Sequence, residues 1–206
     1  MRSRKTILLS AVLAVLALSA VASATASASP EWHFGGTTLS EFEGETVVGA
    51  AFSSSLKSGG ASTTCAHFLY NLEAWNAFGF GEALIDELPL YECSTTAPNC
   101  TVSSIEPEKL PWWAGDYTFG GKHYLVLEEV YVKIVYGGTS CTLGTVHLTG
   151  TAGGLINNSN STATFSKASF EATGTGLKIG ATPVEWTGEF PMEAFKASRE
   201  KAVEVF

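Results

Sequence analysis

The sequence is poor in charge, in aspartate and in basic residues. Charged side chains make up 16 % of its 206 positions, against about 25 % in ordinary soluble domains. There are 12 basic residues and 20 acidic ones, a balance that excludes nucleic-acid binding by phosphate neutralisation. The aspartates are Asp86 and Asp116 alone, too few for the clustered carboxylates of a calcium site. A hydrophobic fraction of 45 % excludes intrinsic disorder.

Sequence motifs of catalysis and cofactor binding are also missing. The chain has no C-x-x-C, no H-E-x-x-H and no G-x-S-x-G motif, and Gly79-Phe80-Gly81 lacks both the length of a phosphate-binding loop and a following lysine. The four histidines, at positions 33, 67, 123 and 147, are too far apart in the sequence to form a known metal-binding motif. The glutamate pairs 106/108 and 128/129 are best interpreted as a solvated acidic surface. We therefore predict no metal, no cofactor and no identifiable catalytic residue.

The first 28 residues have the layout of a secretory signal peptide. Arg2, Arg4 and Lys5 precede an apolar run over 7–21, and small residues follow, ending in Ala26-Ser27-Ala28. Cleavage near Ala28 predicts a secreted protein, and it leaves 9 basic and 20 acidic side chains over 178 residues, a net charge of −11. No later segment approaches 18 consecutive apolar residues, so no membrane span is expected in the mature chain.

The four cysteines lie in the predicted mature part, where an even number in an exported chain indicates two disulfides. Cys93 and Cys100 flank a turn-rich loop, so we predict that they pair with each other. Cys65 and Cys141 would then join distant strands. Four cysteines allow three pairings, and the spacing alone does not choose among them.

Alternating apolar residues, punctuated by Gly, Asn and Ser turns, predict an all-β domain over residues 29–190. Its expected architecture is an antiparallel β-sandwich or a partly open barrel. The clearest strand covers 123–136, where both faces are apolar and Glu128-Glu129 marks a bend. Residues 191–206 are rich in helix formers, with Phe195, Ala202 and Phe206 on one stripe, and predict a short C-terminal helix or a frayed tail.

The segment 110–121 is the best candidate for a binding site. It holds Trp112, Trp113, Tyr117 and Phe119 among glycines and a proline. Exposed aromatic faces bind sugar rings or protein partners. The other interpretation is that Trp112 or Trp113 fills one end of the barrel. We take Trp112, Trp113 and Tyr117 as the candidate ligand-binding residues.

The second half of the chain resembles a group of exported bacterial proteins. Gly-Thr-Ser-Cys-Thr at 138–142, Val-His-Leu-Thr-Gly at 146–150 and the run from Phe165 to Gly188 resemble Gly/Ser/Thr-rich β proteins secreted by high-GC Gram-positive bacteria. The resemblance implies an exported β-domain and brings no function with it.

Two functional hypotheses follow. The first is a non-catalytic extracellular or cell-envelope domain that binds a surface glycan or protein through exposed aromatics. The second is a secreted hydrolase, which requires a cleft where a histidine meets a serine or a carboxylate within hydrogen-bond distance.

Overall fold

A computed structural model describes residues 30–196 and 199–205, so the predicted signal peptide lies outside the described residues. These residues form fifteen strands and one short helix. The strands are β1 Trp32–Phe34, β2 Thr37–Thr38, β3 Glu45–Ser58, β4 Ala61–Ala77, β5 Phe80–Glu87, β6 Leu90–Thr95, β7 Thr101–Pro107, β8 Trp112–Phe119, β9 Lys122–Gly137, β10 Thr145–Asn157, β11 Thr162–Phe165, β12 Gly176–Ile179, β13 Thr182–Pro191, β14 Glu193–Lys196 and β15 Arg199–Val205; the helix is α1, Lys167–Thr173.

The long strands form a ring of antiparallel pairs. β3 pairs with β4. β4 pairs in turn with both β5 and β6, and β5 pairs with β8. β9 pairs with both β7 and β8. β9 pairs with β10, β11 and β12 both lie between β10 and β13, and β13 returns to β3. No pairing joins β6 to β7 in this part of the chain. The predicted all-β antiparallel architecture is confirmed, as a barrel that is open between these two strands.

Two of the ring positions are interrupted near a proline. Pro89 separates β5 from β6, and the cis peptide bond Leu110–Pro111 precedes β8. Proline has no N–H to donate to a ladder, so a continuous strand ends there. Each interruption splits one long strand into two pieces that pair with different parts of the same neighbour.

The interior of the barrel is apolar, and strand β9 shows how the sequence fills it. Leu125 and Leu127 are buried in the core on one side of Glu128-Glu129, and Val132 and Ile134 are buried on the other side. Glu129 has φ of 53°, and the register with β10 shifts opposite it, between Gly150 and Ala152. This bulge changes which parity points inward. It confirms the predicted bend and explains why both parities are apolar.

The N-terminal segment covers one end of the barrel. Trp32 is fully buried, and its backbone N–H donates to Asn76 Oδ1 at 2.7 Å. Asn76 Nδ2 donates in turn to the carbonyls of Trp32 and Leu39, at 3.2 and 3.0 Å. The indole N–H of Trp32 reaches the Glu82 carbonyl at 3.0 Å. The buried Asn76 amide on β4 therefore makes three of the hydrogen bonds that hold this segment against the core.

The prediction of a C-terminal helix is wrong. Residues 193–196 and 199–205 instead form the antiparallel pair β14 and β15, which joins β3 to β1. Helix propensity is a weak preference that pairing partners override, and Val203 and Val205 are β-branched. The helix within the described residues is α1, where Ser166 accepts from the Ser169 N–H and Gly174 ends the helix with φ of 67°.

The predicted pairing of the cysteines is also wrong, although all four form disulfides. The bonds are Cys65–Cys93 and Cys100–Cys141. Cys65 lies directly opposite Cys93 in the register of β4 and β6. Cys100 comes just before β7, and Thr101 pairs with Gly137, which brings Cys100 to the loop that carries Cys141. Two disulfides indicate an oxidising environment.

Within residues 30–196 and 199–205, no helix has the length and apolar character needed to cross a membrane.

Candidate functional site

The two adjacent tryptophans of β8 point to opposite faces of the sheet, as successive strand residues do. Trp112 is 1 % exposed and fills the barrel interior, where its indole N–H donates to the Glu108 carbonyl at 2.9 Å. Trp113 is 50 % exposed and Tyr117 is 42 % exposed. Trp112 therefore does not belong to an exposed binding surface, which corrects its place among the candidate residues. Trp113 and Tyr117 share the outer face.

These two side chains line a surface groove of about 380 Å³, which we call the aromatic groove. It crosses three strands, because β5 and β9 flank β8. Its side walls are aromatic and its polar groups are carboxylates. The residues that define it are Phe80, Glu82, Trp113, Gly115, Tyr117 and Glu128.

Gly115 forms the floor between the two aromatic side chains. A Cβ at this position would lie 3.0 Å from the Tyr117 ring, which is closer than an ordinary van der Waals contact. The absence of a side chain thus allows the Tyr117 ring to lie over the strand. Trp113 is positioned from the other side by Trp75, edge to face, with ring centroids 5.9 Å apart.

The Tyr117 hydroxyl donates a hydrogen bond to Glu128 Oε1 at 2.9 Å. The pKa of Tyr117 is raised to about 12, mainly because the phenol is partly buried and secondly because it is hydrogen-bonded to the Glu128 carboxylate. The phenol therefore stays protonated at any physiological pH. Glu128 keeps further lone pairs for a ligand, and Glu82 supplies a second carboxylate across the groove. The groove can stack an apolar ring face and accept hydrogen bonds from hydroxyl or amine donors.

Two of the histidines, His67 and His123, lie near carboxylates. His67 Nε2 lies 3.7 Å from Glu92 Oε2, and His123 Nδ1 lies 3.7 Å from Asp116 Oδ2. Both distances exceed that of a hydrogen bond. The side chain of Asp116 is completely buried.

Asp116 is the most perturbed acid among the described residues. Burial raises its pKa to about 8, and the backbone amides of Tyr117 and Tyr124 offset part of that rise. Neither carboxylate oxygen has a hydrogen bond of normal geometry. Burial also lowers the pKa of His123. Both groups therefore favour their neutral forms.

No group of three or more His, Cys, Asp or Glu side chains in the described part of the chain is arranged to hold a metal ion.

Sequence reasoning found Trp113 and Tyr117 but missed the rest of the groove. Phe80 and Glu82 come from a strand about thirty positions earlier, brought alongside by the pairing of Glu82 with Gly115. Trp75 arrives through the pairing of β4 with β5. No local motif signals these positions, because only the register of three strands places them together.

Comparison of the chain with protein-family models, with curated proteins and with solved structures finds no match. The resemblance to secreted proteins of high-GC Gram-positive bacteria therefore stays a prediction.

Proposed function

We propose that this protein is an exported, non-catalytic domain that binds a neutral glycan in the aromatic groove. The observation that carries the proposal is the pair Trp113 and Tyr117, both exposed on one strand face on either side of Gly115. Large apolar side chains are costly to leave exposed, and two with a shared open floor indicate a ligand.

The spacing and charge of the groove favour an extended neutral sugar chain. Trp113 and Tyr117 are four strand steps apart, about 13 Å between their Cα atoms, and the Tyr117 ring lies over Gly115 between them. An elongated ligand of linked sugar rings can contact both aromatic side chains. Glu82 and Glu128 line the same groove and accept hydrogen bonds from sugar hydroxyls. The same carboxylates repel anionic polymers.

Export is supported by two independent features. Residues 1–28 have the order of basic, apolar and small residues that secretory signals share. The two disulfides form in the oxidising conditions found outside the cytoplasm. We infer that the protein acts in the cell envelope or the medium, where glycans are abundant.

Titration calorimetry of the purified protein against soluble neutral glucan, xylan and chitin oligosaccharides tests the proposal. Trp113→Ala should weaken binding to the best ligand by about fivefold or more, which is a loss of about 1 kcal/mol or more. Phe52→Ala is the control, because Phe52 is 76 % exposed on β3, outside the groove. Equal affinity of the Trp113→Ala variant and the unmodified protein would refute the proposed site.

A second variant separates the floor of the groove from its walls. Gly115→Ala pushes the Tyr117 ring aside and should also weaken oligosaccharide binding, while the strand keeps its pairing. Gly176→Ala is the matched control, because a Cβ there meets nothing within 4 Å. Unchanged binding by Gly115→Ala would remove Tyr117 from the site and leave Trp113 as the only stacking ring.

A further inference from the structure

Two exposed phenylalanines, next to the Phe80 wall of the aromatic groove, form a second apolar surface near the end of the barrel that Trp32 covers. Phe42 is 62 % exposed and Phe78 is 79 % exposed, and their rings meet edge to face with centroids 5.4 Å apart. Phe80, 52 % exposed, is two residues from Phe78. We call the pair Phe42 and Phe78 the phenylalanine knuckle. It lies on loops, whereas the ring walls of the aromatic groove lie on strands.

The knuckle occupies backbone conformations that bulky residues avoid. Phe78 and Gly79 form the turn between β4 and β5 with φ of 53° and 77°. Such turns ordinarily carry Asn, Asp or Gly at the first position. Phe42 has φ of 62°, and its N–H donates to the Asn76 carbonyl at 2.9 Å. These exposed rings gain little burial within the fold, so a role outside the fold accounts for them better.

The charge around the knuckle has one sign. Glu41 and Glu43 flank Phe42 and are exposed, and Glu31 lies beside Gly79, next to Phe78. Residues 30–108, which carry the knuckle, contain eleven acidic side chains and a single basic one, Lys57. The knuckle therefore lies on a strongly acidic stretch of the chain, with Glu31, Glu41 and Glu43 as its acidic neighbours.

We propose that the phenylalanine knuckle docks a basic protein partner, one that presents apolar side chains within a ring of lysine or arginine. Charge complementarity selects this class, because opposite potentials steer association and suppress wrong partners. A membrane surface fits less well. Interfacial segments that insert aromatic residues carry basic residues beside them, and the acidic knuckle is repelled by anionic lipid headgroups.

The test measures, by fluorescence anisotropy, the binding of the purified protein to a synthetic amphipathic peptide of leucine and lysine. The unmodified protein should bind this peptide more tightly than the matching leucine–glutamate peptide, with an affinity that falls as salt rises. Phe42→Ser/Phe78→Ser should weaken binding by about fivefold or more. Glu41→Gln/Glu43→Gln should weaken it and flatten the salt dependence.

Leu143→Ser is the control, because Leu143 is 41 % exposed in the loop between β9 and β10, and it should bind the peptide normally. Undiminished peptide binding by the double serine variant overturns the proposal. So does binding to phosphatidylcholine vesicles that depends on the phenylalanines, or self-association that the same variant abolishes. The double serine variant should keep its oligosaccharide affinity, and Trp113→Ala should keep its peptide affinity, so the two proposals fail independently.

Discussion

At the scale of single residues, Asp116 is the costliest side chain in the barrel. It is buried without a normal hydrogen bond, beside a histidine that also favours its neutral form. Burial is the largest cause of its raised pKa, about 8 against an ordinary value of 3.8. Between these two values the folded protein holds a proton that the unfolded chain has lost, so this group makes folding less favourable as the pH rises.

We expect Asp116→Asn to remove that dependence. The free energy of unfolding of the variant should exceed that of the unmodified protein by up to about 5 kcal/mol at pH 8 and should approach it toward pH 4. The measurement is urea unfolding across this range. His123 titrates in both proteins and acts in the opposite direction, losing stability as the pH falls, so the difference between the two curves isolates Asp116. Parallel curves would show that Asp116 is charged in the folded state.

Residue identity also sets the limit of what the sequence reveals about the site. Trp112 and Trp113 are chemically identical neighbours, and the alternation of a strand sends one inward and the other outward. Which of them faces solvent depends on the register of β8 with β5 and β9, and that register is fixed by residues far away in the chain. The sequence therefore predicts a functional aromatic pair but does not assign its members.

At the scale of elements, local patterns predict what local chemistry determines. The alternation over 123–136 predicts β9 and its bend, because both the pleat and the bulge are encoded within one strand. The C-terminal segment is the opposite case. Its composition favours a helix, yet β14 and β15 pair with β3 and β1. β3 and β1 have edges with unpaired backbone groups, which hydrogen-bond to β14 and β15. A short stretch of sequence does not show which distant strands offer such an edge.

The N-terminal segment that covers one end of the barrel is hydrogen-bonded to the side-chain amide of Asn76. Asn76→Ala removes three hydrogen bonds to Trp32 and Leu39, two of them buried. The Trp32 N–H and the Leu39 carbonyl lose their Asn76 partner, whereas the Trp32 carbonyl still accepts from the Leu39 N–H. We expect the free energy of unfolding to fall by about 2–3 kcal/mol, measured in urea. Amide hydrogen exchange over β1 and β2 should accelerate before that of β9. The control is Asn71→Ala, at a half-buried position on the same strand; equal losses in both variants would contradict a special role for Asn76.

At the scale of the whole molecule, the two disulfides tie together parts of the chain that are separate in sequence. Cys65–Cys93 closes 28 residues and Cys100–Cys141 closes 41. The local pairing of Cys93 with Cys100 fails because β6 ends before the loop, and β7 then runs with β9 rather than with β6. Pairing follows ring topology, which spacing along the chain does not encode.

Replacing the longer crosslink should cost more than replacing the shorter one. The chain-entropy model gives about 4 kcal/mol for Cys100→Ser/Cys141→Ser and a few tenths less for Cys65→Ser/Cys93→Ser. Thermal unfolding of the two double variants, purified under the same conditions, measures the difference. A much larger loss for the 65–93 variant would show that its position between paired strands matters more than the length of the loop it closes.

The ring topology spreads the excess of acidic side chains around the barrel. β7 pairs with β9, and β14 and β15 lie between β3 and β1, so strands of the more acidic half, residues 30–108, alternate with strands of the less acidic half. Residues 29–206 carry 9 basic and 20 acidic side chains, a net charge of −11. At neutral pH the molecule is therefore retained by an anion-exchange matrix, and a rising salt concentration releases it because salt screens the attraction.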